Sequence, residues 1–290
     1  MASATSLQSL RDIVLTALAP AIWGSTYIVT SEILPPDRPF TAALIRTLPA
    51  GLLLLAFTRQ APVRQDWWRL LALGALNIAL FQALLFVAAY RLPGGLAAVL
   101  GAVQPLLVMV LAWVVDRRTP AQATLWAAVA GVFGMAVLLL SPQTTFEPVG
   151  MAAALLGAAC MAGGVWLTRR WQLDLPVLAL TGWQLVMGGL MLAPAAWLAE
   201  APLPALTLSQ WAAYAYLSLV GALITYALWF RGVARLPTVA VASLGLLSPL
   251  AAIVLGWLLL SQSITGTAFL GLVIVLASVF TVQWTTVRAK

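Results

Sequence analysis

Two stretches of the chain decide its fold: LLFVAAYRLPGGLAAVLGAVQPLLVMVLAW at residues 84–113, and LWFRGVARLPTVAVASLGLLSPLAAIVLGW at residues 228–257. They align without a gap at an offset of 144 residues, and thirteen of the thirty positions are identical. Shared apolar composition does not account for so many identities, so the chain contains an internal repeat. The identical positions include Arg91-Leu92-Pro93 with Arg235-Leu236-Pro237, Gly101 with Gly245, and Pro105 with Pro249.

The repeat lies in a strongly apolar chain of 290 residues, of which 63% are hydrophobic and 8% are charged. Soluble domains average about 45–50% apolar and about 25% charged residues, so a water-soluble fold is excluded. A helix needs roughly 20 apolar residues to cross a bilayer. Ten segments meet this condition: 13–34, 40–58, 67–90, 95–115, 121–140, 149–168, 177–198, 211–234, 238–260 and 265–287.

The two copies are expected to lie in opposite orientations. Five predicted spans separate them, and because five is odd, the second copy enters the membrane from the opposite side. The sequence therefore predicts an all-α integral membrane protein with ten transmembrane helices, arranged as two inverted five-helix repeats at 1–145 and 146–290. Inverted repeats are a recurrent plan of secondary transporters, in which two like halves exchange conformations. This pattern predicts alternating access.

Loop charges predict the orientation of the chain. With the N-terminus inside, eleven Arg and Lys residues lie on the inner side and two, Arg38 and Arg91, on the outer side. Cytoplasmic loops retain basic residues, so both termini are expected in the cytoplasm. The chain is expected to cross the membrane several times.

The same composition excludes several other functions. The formal charge of +7 comes from scattered basic residues, which form no patch suited to nucleic acid. Cys160 is the only cysteine and His is absent, so neither an intrachain disulfide nor a His- or Cys-based metal site is expected. An intramembrane enzyme would need paired carboxylates, His or an activated nucleophile at depth, and the sequence supplies none of these sets. No catalytic residue, cofactor or metal is expected, and the oligomeric state is open, a monomer included.

Together with the ten spans and the inverted halves, three local features carry a family resemblance. They are the Trp23-Gly24 pair in span 1, Arg46 in span 2, and the prolines of spans 4 and 9. The chain resembles the drug/metabolite transporter superfamily, specifically bacterial exporters built from two EamA domains. The resemblance implies a central cavity lined mainly by spans 1, 3, 4, 6, 8 and 9. It also implies export of amino acids, related metabolites or amphipathic toxic compounds.

Ionisable side chains inside a membrane are costly, so each one is a candidate for function. Arg46 has two interpretations, contact with a substrate carboxylate or with exposed backbone carbonyls of neighbouring helices. We expect Arg231 to extend to the cytoplasmic surface, and Glu32 to be solvated at the outer mouth. Because no span carries a carboxylate near its centre, export of lipophilic cations in obligate exchange for protons is disfavoured. A neutral or zwitterionic, partly apolar solute is favoured.

Uncharged polar and aromatic side chains near the middle of the spans suit such a solute, because amphipathic ligands are bound by aromatic walls and a few polar groups. The predicted substrate-binding residues are Trp23, Tyr27, Arg46, Gln82, Phe86, Gln104, Tyr226 and Trp229, and the predicted hinge residues are Gly101, Pro105, Gly245 and Pro249. The predicted function is export of a small amphipathic, amino acid-like metabolite across the inner membrane. Efflux of diverse drugs and handling of lipids are the alternatives.

Overall fold

The structure is a computed structural model that describes residues 2–92, 99–139, 147–260 and 266–288. Within these ranges the chain forms helices and turns and contains no strand. Nine helices there are long and apolar enough to cross a bilayer, and a tenth apolar helix, Val99–Val114, is shorter. The predicted start of that helix, 95–98, lies outside the described residues. The all-helical membrane fold expected from the sequence is confirmed.

The ten helices are numbered α1 to α10 in chain order. α3 and α8 are each continuous helices with a π-helical segment in the middle, Ala75–Leu80 in α3 and Leu219–Ile224 in α8. The helices are α1 (Ala2–Glu32), α2 (Pro39–Thr58), α3 (Trp67–Gly74, Ala75–Leu80 and Phe81–Arg91), α4 (Val99–Val114), α5 (Gln122–Leu139), α6 (Pro148–Trp171), α7 (Val177–Ala199), α8 (Leu208–Ser218, Leu219–Ile224 and Thr225–Arg235), α9 (Thr238–Leu244 and Leu247–Leu260) and α10 (Thr267–Arg288).

The helix contacts repeat when the two halves are exchanged. α1 packs on α8 and α9, while its counterpart α6 packs on α3 and α4. The pairs α2–α7 and α5–α10 map onto themselves. At the α2–α7 crossing, a methyl group on Gly51 would lie 2.8 Å from Val186, and one on Gly189 would lie 3.0 Å from Leu48. Since these four residues are related by one offset of 138, a pseudo-twofold axis passes between the halves.

The ends of α6 show that the two copies are inverted. Arg91, at the end of α3, pairs with Glu147 at the start of α6. At the other end of α6, Arg169 donates to the carbonyl of Val233, two residues before Arg235. α6 has 24 residues, about 36 Å at 1.5 Å per residue, so Arg91 and Arg235 lie at opposite ends of the bundle. We call these ends the Arg91 face and the Arg235 face.

The helices α4 and α9 are both interrupted near the repeated Gly and Pro. In α4 the turn before Pro105 is held by a bond from the Ala102 N–H to the Val99 carbonyl. In α9 the Gly245 N–H bonds to the Ala242 carbonyl in the same i to i−3 pattern, and Gly245 lies four residues before Pro249. Proline cannot donate a backbone hydrogen bond and crowds the preceding turn, which explains both breaks. Their role as hinges stays a prediction.

Candidate substrate site on the axis between the halves

Gln82 and Tyr226 mark the pseudo-twofold axis. They occupy the same repeat position, 144 residues apart, and Gln82 Nε2 donates to the Tyr226 hydroxyl at 3.0 Å. A residue can contact its own counterpart only beside the axis that relates them. Both side chains are about 1% exposed. These two sequence-predicted site residues therefore form the centre of the molecule, where both halves meet.

Aromatic side chains surround this pair. The Trp23 ring lies 5.1 Å from the Tyr226 ring and 5.2 Å from the Trp229 ring, in tilted arrangements. Phe230 stacks on Tyr226, with centroids 6.0 Å apart. Such offset and tilted geometries are the favourable ones for aromatic rings. α1 and α8 thus supply an aromatic cluster that contacts the axial amide.

The position of the Trp23 indole depends on the π-helical segment of α8. The Thr225 N–H bonds to the carbonyls of Val220 and Ala222, not to that of Gly221, its partner in an α-helix. The Gly221 carbonyl instead accepts from Trp23 Nε1 at 3.1 Å and from the Thr225 hydroxyl at 2.7 Å. Trp23 Nε1 also donates to the Thr225 hydroxyl at 2.8 Å. A backbone irregularity, of the kind often found at functional sites, thus fixes this ring.

Arg46 binds the same carbonyl. Its Nη2 and Nε atoms donate to Gly221 at 2.9 and 3.3 Å, and the residue is 7% exposed. Of the two interpretations offered by the sequence, contact with a backbone carbonyl is the one observed here. The guanidinium nevertheless brings a positive charge to the edge of the aromatic cluster, because Trp23 shares its acceptor.

The other half carries an uncharged version of this contact. Asn77, the counterpart of Gly221, donates from Nδ2 to Gln184 Oε1 at 2.7 Å and to the Thr168 hydroxyl at 3.2 Å. Gln184 is the counterpart of Arg46, at the offset of 138. Asn77 and Gln184 are fully buried. One polar contact between halves has therefore diverged into a cationic form and a neutral amide form, which makes the centre electrically asymmetric.

Gln104 and Trp229 flank Gly245, the repeat counterpart of Gly101. A methyl group on Gly245 would lie 3.8 Å from Gln104 Oε1 and 3.9 Å from the Trp229 ring. Several buried polar atoms at the centre have no hydrogen-bond partner within the described part of the chain: Gln82 Oε1, Gln104 Nε2 and Trp229 Nε1 beside the aromatic cluster, and Asn77 Oδ1 and Gln184 Nε2 in the neutral amide contact. Leaving a buried polar group unpaired costs about 1–3 kcal/mol. Of the atoms beside the aromatic cluster, Gln82 Oε1 is an acceptor, and Gln104 Nε2 and Trp229 Nε1 are donors.

The side chains of two predicted site residues, Tyr27 and Phe86, lie outside the described part, so their role stays a prediction.

The sequence did not predict the ion pair between Arg231 and Asp12. Arg231 does not simply extend to the surface, because it donates to Asp12 at 2.5 Å. Asp12 itself is 6% exposed although the sequence suggested a loop residue. The sequence offered no signal for this, because Asp12 precedes the apolar run that begins at Ile13.

Two further features concern ligands. Within the described ranges, no cluster of three or more His, Cys, Asp or Glu residues could hold a metal ion. A cavity of about 860 Å³ opens on the Arg235 face between α4, α6 and α9. Its walls include Met109, Val239 and Trp166 together with Arg118 and Arg169. The fold and the axial site therefore define a polytopic membrane protein with a buried polar and aromatic centre between inverted halves.

Comparisons with known proteins place this architecture in a family. The EamA-like transporter family matches residues 10–140 and 148–284, one match in each half. The chain is 43% identical over 269 residues to Protein PecM of Dickeya dadantii, covering 91% of this chain and 90% of that protein. It is 28% identical over 267 residues to the uncharacterized inner membrane transporter YedA of Escherichia coli K12, covering 89% and 86%. A solved crystal structure superposes with a TM-score of 0.80 at 18% identity, over 95% of this chain and 98% of that one, and shows the fold alone.

The chain belongs to the EamA-like transporter family. It is a multi-pass membrane transporter, as the resemblance seen in the sequence implied.

Proposed function

We propose that this protein is a secondary transporter that exports a small amphipathic, amino acid-like metabolite by alternating access, with the axial cluster as its substrate site. The observation that carries the proposal is the set of unpaired buried atoms Gln82 Oε1, Gln104 Nε2 and Trp229 Nε1. A zwitterion or an amide offers an N–H group to the first and oxygen atoms to the other two. Its apolar part fits the rings of Trp23 and Tyr226.

The charge distribution supports the same solute class. Arg46 brings positive charge beside the cluster, whereas the buried acids among the described residues, Asp12 and Asp66, pair with arginines on the Arg235 face. A lipophilic cation would meet no negative counter-charge from these groups, while a carboxylate would be attracted by Arg46. This favours a neutral or zwitterionic solute over a cationic drug.

The direction and orientation are part of the proposal. The excess of basic residues on one side supports a cytoplasmic location for both termini, and so for the Arg235 face. In that orientation the cavity between α4, α6 and α9 is a cytoplasmic vestibule, which connects with the axis when the Arg235 face opens. Residues 1–145 and 146–290 form the two halves that move. The protein acts as a carrier in the bacterial inner membrane and not as an enzyme, and export, not uptake, follows from the family resemblance.

The substitution Gln104→Leu tests the substrate site. Purified protein is first screened by thermal shift against amino acids and related metabolites, because a ligand at 100 times its Kd stabilises the native state by about 2.7 kcal/mol. Since Gln104 Nε2 has no partner to lose, we expect Q104L to melt like the parent but to lose the ligand-induced shift and most of the flux in proteoliposomes. Gln122→Leu, at an exposed position on α5, is the matched control.

Three results would contradict the proposal. An unchanged shift and flux in Q104L would remove Gln104 from the site. Stabilisation by lipophilic cations but by no zwitterion would favour drug efflux. Stabilisation by lipids alone, without solute counterflow, would favour lipid handling.

A further inference from the structure

Two arginines at the same repeat position each pair with a carboxylate of the opposite half. Arg235 in the second half lies 3.5 Å from Asp12 in the first, and Arg231 lies 2.5 Å from the same carboxylate. Arg91 in the first half, the counterpart of Arg235, lies 3.6 Å from Glu147 in the second. Because Arg91 and Arg235 lie on opposite faces, each face of the bundle carries an ion pair at this repeat position that joins the halves. On the Arg235 face a second pair, Asp116 with Arg170, also joins the halves, at the wall of the cavity.

Small side chains pack beneath each ion pair, again at repeat positions. A methyl group on Gly232 would overlap the Thr16 side chain, so α1 and α8 are in close contact there. Their counterparts, Ala88 and Ala154, are buried together where α3 meets α6. Small residues at such crossings let two helices approach closely. The ion pair and the small-residue contact form one unit that occurs twice, once on each face.

The two units differ in how deeply the carboxylate of the ion pair is buried. The Asp12 side chain is 9% exposed and that of Arg231 is 21% exposed, whereas Glu147 and Arg91 are 35% and 52% exposed. The two arginines at the same repeat position differ little, because Arg235 is 47% exposed and Arg91 is 52% exposed. The difference between the units lies in the carboxylates, and the ion pair on the Arg235 face is the more buried one.

We propose that these two ion pairs are alternating latches. The inner latch, Asp12 with Arg231 and Arg235, closes the Arg235 face, and the outer latch, Glu147 with Arg91, closes the Arg91 face. Each latch forms when the other opens. A buried ion pair leaves an uncompensated charge when one partner is lost, whereas an exposed pair contributes little. The inner latch therefore holds the present conformation, and exchange of the halves would bury the outer latch in its place.

The inference rests on the alternating access of the proposed function, but its test needs no substrate. In a Cys160→Ser background, single cysteines replace Gly101 or Gly245 as reporters. A membrane-impermeant maleimide is applied to either side of oriented vesicles. Asp12→Asn removes the inner latch and Glu147→Gln removes the outer one. Asp66→Asn is the matched control, because Asp66 is as buried as Asp12 but pairs with Arg69 inside its own half.

We expect D12N to slow labelling of the Gly101 reporter from the Arg91 face about tenfold, and to speed labelling of the Gly245 reporter from the Arg235 face by a similar factor. E147Q should shift both rates the opposite way or leave them unchanged, and D66N should leave both unchanged. The proposal is overturned if D12N leaves both rates as in the parent. It is equally overturned if D12N and E147Q shift the rates in one direction, or if D66N acts like D12N.

Two additions keep the result interpretable. If D12N does not fold, Arg235→Gln removes the more exposed partner of the same latch and must produce the same shift in reduced degree. Asp12→Glu keeps the charge and must restore parental labelling. A failed substrate screen with a normal labelling shift would overturn the proposed solute and keep the latches. Normal substrate binding without a labelling shift would overturn the latches and keep the proposed solute.

Discussion

Removal of one hydroxyl on the axis has a calculable effect. Tyr226→Phe deletes the oxygen that accepts from Gln82 Nε2 at 3.0 Å and keeps the ring that contacts Trp23. Gln82 Oε1 already has no partner within the described residues, so in Y226F the whole buried amide is left unpaired. The penalty for such a group is about 1–3 kcal/mol. Adding Gln82→Leu removes the stranded amide, and replacing both partners by apolar groups is close to neutral.

The assay is the thermal midpoint of the purified protein in one detergent, measured for the parent, both single variants and the double variant. At about 2–4 °C per kcal/mol, Y226F should lower the midpoint by several degrees, and Q82L/Y226F should recover most of that loss. The recovery is the informative quantity, because residues in contact are non-additive. If Y226F melts with the parent, or if the two losses simply add, Gln82 and Tyr226 do not form a buried pair. Transport should stay impaired in the double variant, since the axial polar groups are gone.

Two other substitutions test the contacts that hold the halves together. Gly164→Ala places a methyl group where the Asn77 amide lies, so it should lower the thermal midpoint more than Gly163→Ala, whose methyl group meets no described atom within 4 Å. Equal midpoints would contradict the packing of α6 on α3. Glu200→Ala removes a carboxylate that accepts from the Phe40 and Thr41 N–H groups at the start of α2. A loss of about 0.5–2 kcal/mol is expected, as for other N-terminal caps, and unchanged melting would contradict it.

The architecture could be predicted because it is a property of long segments. Apolar runs of about twenty residues predict spans, and the match at the offset of 144 predicts two inverted halves. A second offset, of 138 residues, relates Gly51 to Gly189. Those glycines form symmetric close contacts at the α2–α7 crossing. A close contact between two helices admits only small residues. Because this contact is symmetric, both halves carry a glycine there, and the repeat is visible in the sequence at these positions.

The chemistry of the centre was less predictable, because part of it belongs to the backbone. The acceptor for Trp23 and Arg46 is the carbonyl of Gly221, which becomes available through the π-helical turn of α8. No side-chain pattern marks such a carbonyl. Asp12 was missed for another reason. The apolar run begins at Ile13, but the helix begins at Ala2, so Asp12 lies inside the bundle and not in a loop.

Under the proposed alternating access, the place of Gln82 and Tyr226 explains how one site could serve both faces. When two halves exchange conformations about a twofold axis, groups beside the axis keep their relation to both halves, whereas groups near either face lose theirs. The binding groups therefore belong at the axis and the closing groups away from it, which is where the Asp12 and Glu147 ion pairs lie. Exact symmetry at the axis would hold a solute equally in two opposite orientations. The change from Gln184 in one half to Arg46 in the other removes that equivalence, so under the proposed function a solute with a carboxylate would be bound in one orientation.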